Sequence, residues 1–139
     1  MKKEIEILDH TGDIGIRIHA PSLEELFRLA AKGMFQIMLF HPAEKQETEF
    51  QVTLQANDLE QLMVNWLSEL NFLFQTEQFV LADVAEIAID NNSLMATVSG
   101  ELFEPDKHQL HTEIKAVTFH KIYVKQEKSG WTAQLIFDI

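Results

Sequence analysis

Cysteine is missing altogether from the 139 residues. That rules out disulfide staples, thiolate nucleophiles and cysteine-held zinc, and it fits a reducing cytoplasm, the expected location. Positive charge is scarce: 11 Lys and Arg stand against 22 Asp and Glu, for a formal net charge of -11. A chain this acidic gains nothing from counterion release on a nucleic-acid backbone, so no direct RNA or DNA binding is expected. Its field favours cations and basic protein surfaces instead, while the plainer reading is that acidity simply keeps the protein soluble. Long apolar runs are lacking too. Each is cut by Lys, Glu, Gln or Asn, which leaves no membrane span and no signal peptide. There is no P-loop, no G-x-S-x-G elbow and no G-x-G-x-x-G, and Gly12 and Gly15 are too few to cradle phosphates. Six histidines form neither an H-x-x-x-H pair nor an HExxH string, so the chain carries no zinc signature.

What is present suffices for one compact domain over 1–139, since 46% of the residues are hydrophobic and neither linker, repeat nor low-complexity tract interrupts them. Ile14, Ile16 and Ile18 alternate with Gly15, Arg17 and His19, the pattern of a strand with one buried face. Pro21-Ser22-Leu23-Glu24-Glu25 opens a helix, with Ser22 as cap and Glu25 completing a capping box. Its apolar positions run from Leu23 to Met38, until His41-Pro42 ends it. Phe50, Val52, Leu54 and Ala56 alternate as a second strand. Asp58 and Gln61 repeat the capping pattern before a helix whose stripe includes Leu59, Leu62, Met63, Trp66, Leu67, Leu70, Leu73 and Phe74. Val80 to Asp90 and Leu94 to Gly100 flank Asn91-Asn92-Ser93 as a hairpin, and Ala116 to Gln126 and Trp131 to Asp138 flank Lys128-Ser129-Gly130 as another. Glu101 to Thr112, polar and holding Pro105, is expected to be a loop. This order predicts an α+β fold, two helices packed on a mostly antiparallel sheet.

The informative strings lie at opposite ends of the chain. Asp9-His10-Thr11-Gly12-Asp13-Ile14-Gly15 comes near the start, and the sequence stops on Phe137-Asp138-Ile139. Asp13 and Asp138, at the edges of expected strands, and the free carboxylate of Ile139 make an all-oxygen set suited to a hard cation. Asp13 after Thr11-Gly12 also reads as an ordinary turn cap. If the first and last strands are neighbours, the three groups converge, and anions so gathered need a cation or a basic side chain beside them. Calcium takes six to eight oxygens, of which this set supplies part; magnesium and manganese also accept oxygen ligands. The basic candidate is Lys115, which otherwise reads as an exposed edge lysine in a weak surface pair with Glu113. His10 and His120 are supporting candidates, although a single histidine beside a strand is more often structural.

Together these strings resemble the archease family, whose pattern is D-H-T-A-D-I-G near the start, T-E-(I/V)-K-A-(I/V)-T-(Y/F)-H later and F-D-I at the end. The matching stretches here are Asp9 to Gly15, Thr112 to His120, and Phe137-Asp138-Ile139, and Asp58 to Leu70 is similar to the family's helix string. Gly12 stands where alanine is usual and Phe119 where tyrosine is frequent. The resemblance implies an accessory protein rather than an enzyme. Its partner would be the GTP- and manganese-dependent RNA ligase that joins 3′-phosphate or 2′,3′-cyclic-phosphate ends to 5′-hydroxyl ends in tRNA splicing and RNA repair. It would promote guanylylation of the ligase and repeated turnover, with Asp13, Asp138 and the Ile139 carboxylate as ligands of a divalent cation, calcium first, and with Lys115 also needed for activation. Two other readings stand beside it: a chaperone-like modulator of another RNA-processing enzyme, such as a methyltransferase, and a metal-dependent hydrolase.

Overall fold

The computed structural model describes residues 4–10 and 12–139, apart from the side chain of His10. Ten elements follow one another: β1 (Ile5–His10), β2 (Asp13–Ala20), α1 (Leu23–Met38), β3 (Thr48–Gln55), α2 (Leu59–Glu77), β4 (Phe79–Asp90), β5 (Ser93–Leu102), α3 (Pro105–His108), β6 (Ala116–Glu127) and β7 (Gly130–Asp138). Both long helices start where capping chemistry places them. The Ser22 hydroxyl accepts from the Glu25 N–H at 3.2 Å, and the Asp58 carboxylate accepts from the Gln61 N–H at 2.8 Å. Gln61 reaches back to accept from the Asn57 N–H, but Glu25 does not reciprocate. Its carboxylate instead pairs with Arg28 at 2.7 Å, and the Arg28 guanidinium donates twice to the Val84 carbonyl, tying α1 to β4.

The strands form two antiparallel sheets, one in the order β1-β2-β7-β6 and one in the order β3-β5-β4. The α+β expectation therefore holds, with the strands divided between two sheets. Both hairpins form as read. Asn91 and Asn92 take φ of 48° and 65°, the left-handed pair that a two-residue hairpin requires. Gly130 sits at φ +130°, and a Cβ there would meet the Ala20 carbonyl oxygen at 2.3 Å, so only glycine suits the second turn. Three features depart from the sequence reading. Ile5–His10 is a strand, an edge one whose Ile7 is 47% exposed, so its alternation is blurred. The segment read as a loop holds the end of β5 and the single turn α3. Finally, β6 breaks register between Thr118 and Tyr123, where Lys121 takes φ 52°.

One core joins the sheets and helices. Ile16 and Ile18 of β2, Leu135 and Phe137 of β7, and Val98 of β5 are almost fully buried with Phe27 and Met34 of α1 and Trp66 and Leu67 of α2. Helix α1 packs on β2 and β4, and α2 on β6 and β3. The core carries one polar hub that the sequence reading missed. The buried Glu101 carboxylate receives Lys107 at 3.0 Å, His108 at 2.7 Å and the backbone N–H groups of Glu44 and Lys45 at 3.2 Å. Because the Glu104 N–H donates to His108 Nδ1, the His108 proton sits on Nε2 and points at Glu101.

Burial pushes the Glu101 carboxyl up, but hydrogen bonds from Lys107, His108 and the Glu44 N–H, with the charge of Lys107, outweigh it and hold it down at about 2. A carboxyl depressed in the folded state stabilises the fold above its unfolded value, 4.5, and that contribution is lost as pH falls toward about 2. Urea unfolding from pH 6 to 2 should show the wild-type protein losing stability below about 4.5. Glu101→Gln should be less stable at pH 6 and flatter across that window. Parallel curves for the two proteins would show that Glu101 does not anchor this region.

Candidate metal and partner site

The two ends of the chain meet. In the pairing of β2 with β7, Asp13 stands directly opposite Asp138, Gly15 opposite Ile136 and Arg17 opposite Gln134. Direct partners in an antiparallel pair lie about 5 Å apart at Cα. Alternation explains which way the acids face. Ile14, Ile16 and Ile18 turn to the core with Phe137, Leu135 and Ala133, so Asp13 and Asp138 share the opposite face. Like charges directly across a strand pair repel, and nothing in strand propensity favours two aspartates there.

Lys115 arrives from the other side. Ala116, the first residue of β6, opposes Asp138, and the Lys115 N–H donates to the Asp138 carbonyl oxygen at 2.9 Å. The sheet end therefore carries Asp13 from β2, Asp138 from β7 and Lys115 from the segment that leads into β6. Asp138 and Lys115 are exposed, whereas Asp13 is half-buried, and its Oδ1 is a buried atom with no hydrogen-bond partner among the described residues. An acceptor withdrawn from water and left unpaired is costly, and a bound cation or an incoming donor relieves it.

The remaining candidates are placed unevenly. His10 opposes Asp13 at the Cα level, but its side chain and all of Thr11 lie outside the described residues. Glu113 is exposed in the segment before β6, and among the described residues no ion pair joins it to Lys115. His120 is exposed in the β6 irregularity, with its N–H on the Thr118 hydroxyl at 3.3 Å. Among the described residues no three His, Cys, Asp or Glu side chains gather closely enough to hold a metal ion by themselves. A cation at the sheet end would rest on two side-chain carboxylates, with main-chain oxygens and water completing the shell. Donors of oxygen alone, one of them orphaned, fit a hard cation of the calcium or magnesium kind rather than zinc.

Sequence reasoning overlooked Asn71. It sits four residues after Leu67 on the apolar face of α2, is 7% exposed, and donates from Nδ2 to the Ile114 carbonyl at 3.0 Å. A polar residue at a core position of an apolar stripe was the available signal.

Comparison with known proteins agrees with the family resemblance of the strings and with the fold. Residues 5–139 match the model of the archease protein family (MTH1598/TM1083). The chain belongs to the archease family. Protein archease of Methanosarcina mazei is 39% identical over 141 residues, covering 99% of this chain and 97% of the relative. Protein archease of Pyrococcus abyssi is 36% identical, covering 99% of each. The solution structure of Methanobacterium thermoautotrophicum protein 1598 superposes with a TM-score of 0.82 at 30% identity, over 98% of this chain and 99% of that one. A Thermotoga maritima crystal structure, described as an archease and possible chaperone, shares the fold at TM-score 0.65 and 20% identity, over 100% of this chain and 98% of that one. Among the described residues no helix is long and apolar enough to cross a membrane.

Proposed function

We propose that this archease activates a GTP- and manganese-dependent RNA ligase, promoting ligase guanylylation and repeated joining of 3′-phosphate or 2′,3′-cyclic-phosphate ends to 5′-hydroxyl ends in tRNA splicing or RNA repair. The supporting observation is the meeting of Asp13, Asp138 and Lys115 at one exposed sheet end, on a chain whose family pattern holds these residues. Acids and a lysine displayed outward can enter a partner's basic, metal-lined pocket, which suits an accessory protein better than an enzyme needing a pocket of its own. In this reading Asp13, Asp138 and the Ile139 carboxylate hold a divalent cation, calcium by preference. The cation supplies positive charge that keeps the carboxylates together and is available to phosphate oxygens. Asp13 Oδ1 gains the partner it lacks among the described residues, Asp138 faces the ligase, and the Lys115 ammonium is presented to phosphate or carboxylate groups. Their contribution is electrostatic and positional, with no bond made or broken on this chain.

The test is multiple-turnover ligation with purified ligase, GTP and manganese. More than one product per ligase in the presence of this protein, and about one in its absence, is the expected result. Equal turnover in both reactions would reject the proposal. Effects on a client's aggregation that ignore changes at Asp13 and Asp138 would favour the chaperone-like alternative.

A further inference from the structure

We infer that Asn71 is a positioning residue that sets Lys115 against the carboxylate end of the sheet, an inference that rests on the function proposed above. Residues 112–115 belong to no helix or strand, yet they deliver Lys115 to its place beside Asp138. The Thr112 N–H is held by the Met38 carbonyl at 3.2 Å, and the Lys115 N–H by the Asp138 carbonyl at 2.9 Å. Between them, the Ile114 carbonyl receives two amide donors from α2, Asn71 Nδ2 at 3.0 Å and Gln75 Nε2 at 3.4 Å. Asn71 and Gln75 are four residues apart, one above the other on the same helix face, which is why both reach one oxygen.

The two bonds around Ile114 act in series. The peptide unit whose carbonyl Asn71 grips is the unit whose N–H grips Asp138, because Ile114 O and Lys115 N belong to the same planar amide. Fixing that oxygen fixes the plane, and the plane sets both the Lys115 Cα and the hydrogen bond to β7. Ile114 itself is 1% exposed, so its side chain anchors the segment in the core from one side while Asn71 sets its rotation from the other. Gln75 is exposed and its bond is longer, so Asn71 is the principal donor. A leucine of similar size at position 71 would keep the packing and lose the donor. The plane would then be free to turn, and Lys115 would leave the register that Asp138 imposes.

Three proteins separate positioning from mere stability: wild type, Asn71→Leu, and Leu73→Ala, a core truncation on the same helix that lowers the melting temperature. Amide exchange at Lys115 should accelerate by on the order of tenfold or more in Asn71→Leu, beyond any change in global stability. Titrated against ligase, GTP and manganese, Asn71→Leu should lower the maximal guanylylation rate by on the order of tenfold, since small misplacements are costly. The half-saturating concentration should stay within about threefold, because the docking surface is intact. Leu73→Ala should retain the wild-type maximal rate at temperatures where it is folded. Unchanged Lys115 exchange, or equal loss of activity in Asn71→Leu and Leu73→Ala, would overturn the inference and leave the proposed function standing. A wild-type protein without stimulation would overturn both.

Discussion

Asp138→Ala should abolish ligase stimulation, lowering guanylylation by on the order of a hundredfold or more, as removal of one well-placed electrostatic group does elsewhere. The fold should survive. Asp138 is exposed at the end of β7, its register partner is another acid, and surface substitutions of this kind stay within about 0.5 kcal/mol. The melting temperature should therefore move by no more than about 3 °C, and relief of the Asp13 repulsion acts toward higher stability. The ligase–guanylate yield and a thermal melt on the same preparation decide the matter. Wild-type stimulation by the variant would remove Asp138 from the site. A large fall in melting temperature would instead mark it as a structural residue.

Trp66→Ala should be the most damaging single change to the fold. The indole is completely buried between the helices, and its N–H donates to the Phe27 carbonyl of α1 at 2.9 Å. Truncating a buried tryptophan costs about 3–5 kcal/mol through lost transfer energy and the cavity left behind. The lost hydrogen bond adds about 1 kcal/mol. Against a typical total of about 5–15 kcal/mol, the variant sits at the margin of folding. Trp66→Phe, which keeps an aromatic ring and loses the N–H, should fall between the two. Urea unfolding followed by circular dichroism measures the differences, and a loss below about 1 kcal/mol for Trp66→Ala would contradict the packing described here.

Local patterns made the helices, the capping residues Ser22 and Asp58, and both hairpins legible, since each depends on residues close in sequence. Asn91-Asn92 spelled out its turn because two successive left-handed residues need such side chains. The division into two sheets depends on pairings such as Asp13 with Asp138, which no local periodicity encodes. Strand β1 escaped notice because its edge position leaves Ile7 half exposed and Leu8 half buried. The Glu101 hub looked like loop chemistry, since a Glu, a Lys and a His in a polar stretch ordinarily face water. Only folding brings the Glu44 and Lys45 amides across to bury the carboxylate. At the candidate site, the motif strings identified Asp13, Asp138 and Lys115, and the antiparallel register supplied the reason for their association. The orphaned oxygen of Asp13 and the grip of Asn71 on Ile114 needed coordinates.

The central claim is that these clustered groups act on a ligase. Its most direct measurement is the amount of covalent ligase–guanylate formed by purified ligase with GTP and manganese as this protein is titrated in. The account predicts a saturable rise in ligase–guanylate with wild type and a flat line with Asp138→Ala. Identical yields with and without the wild-type protein would contradict it.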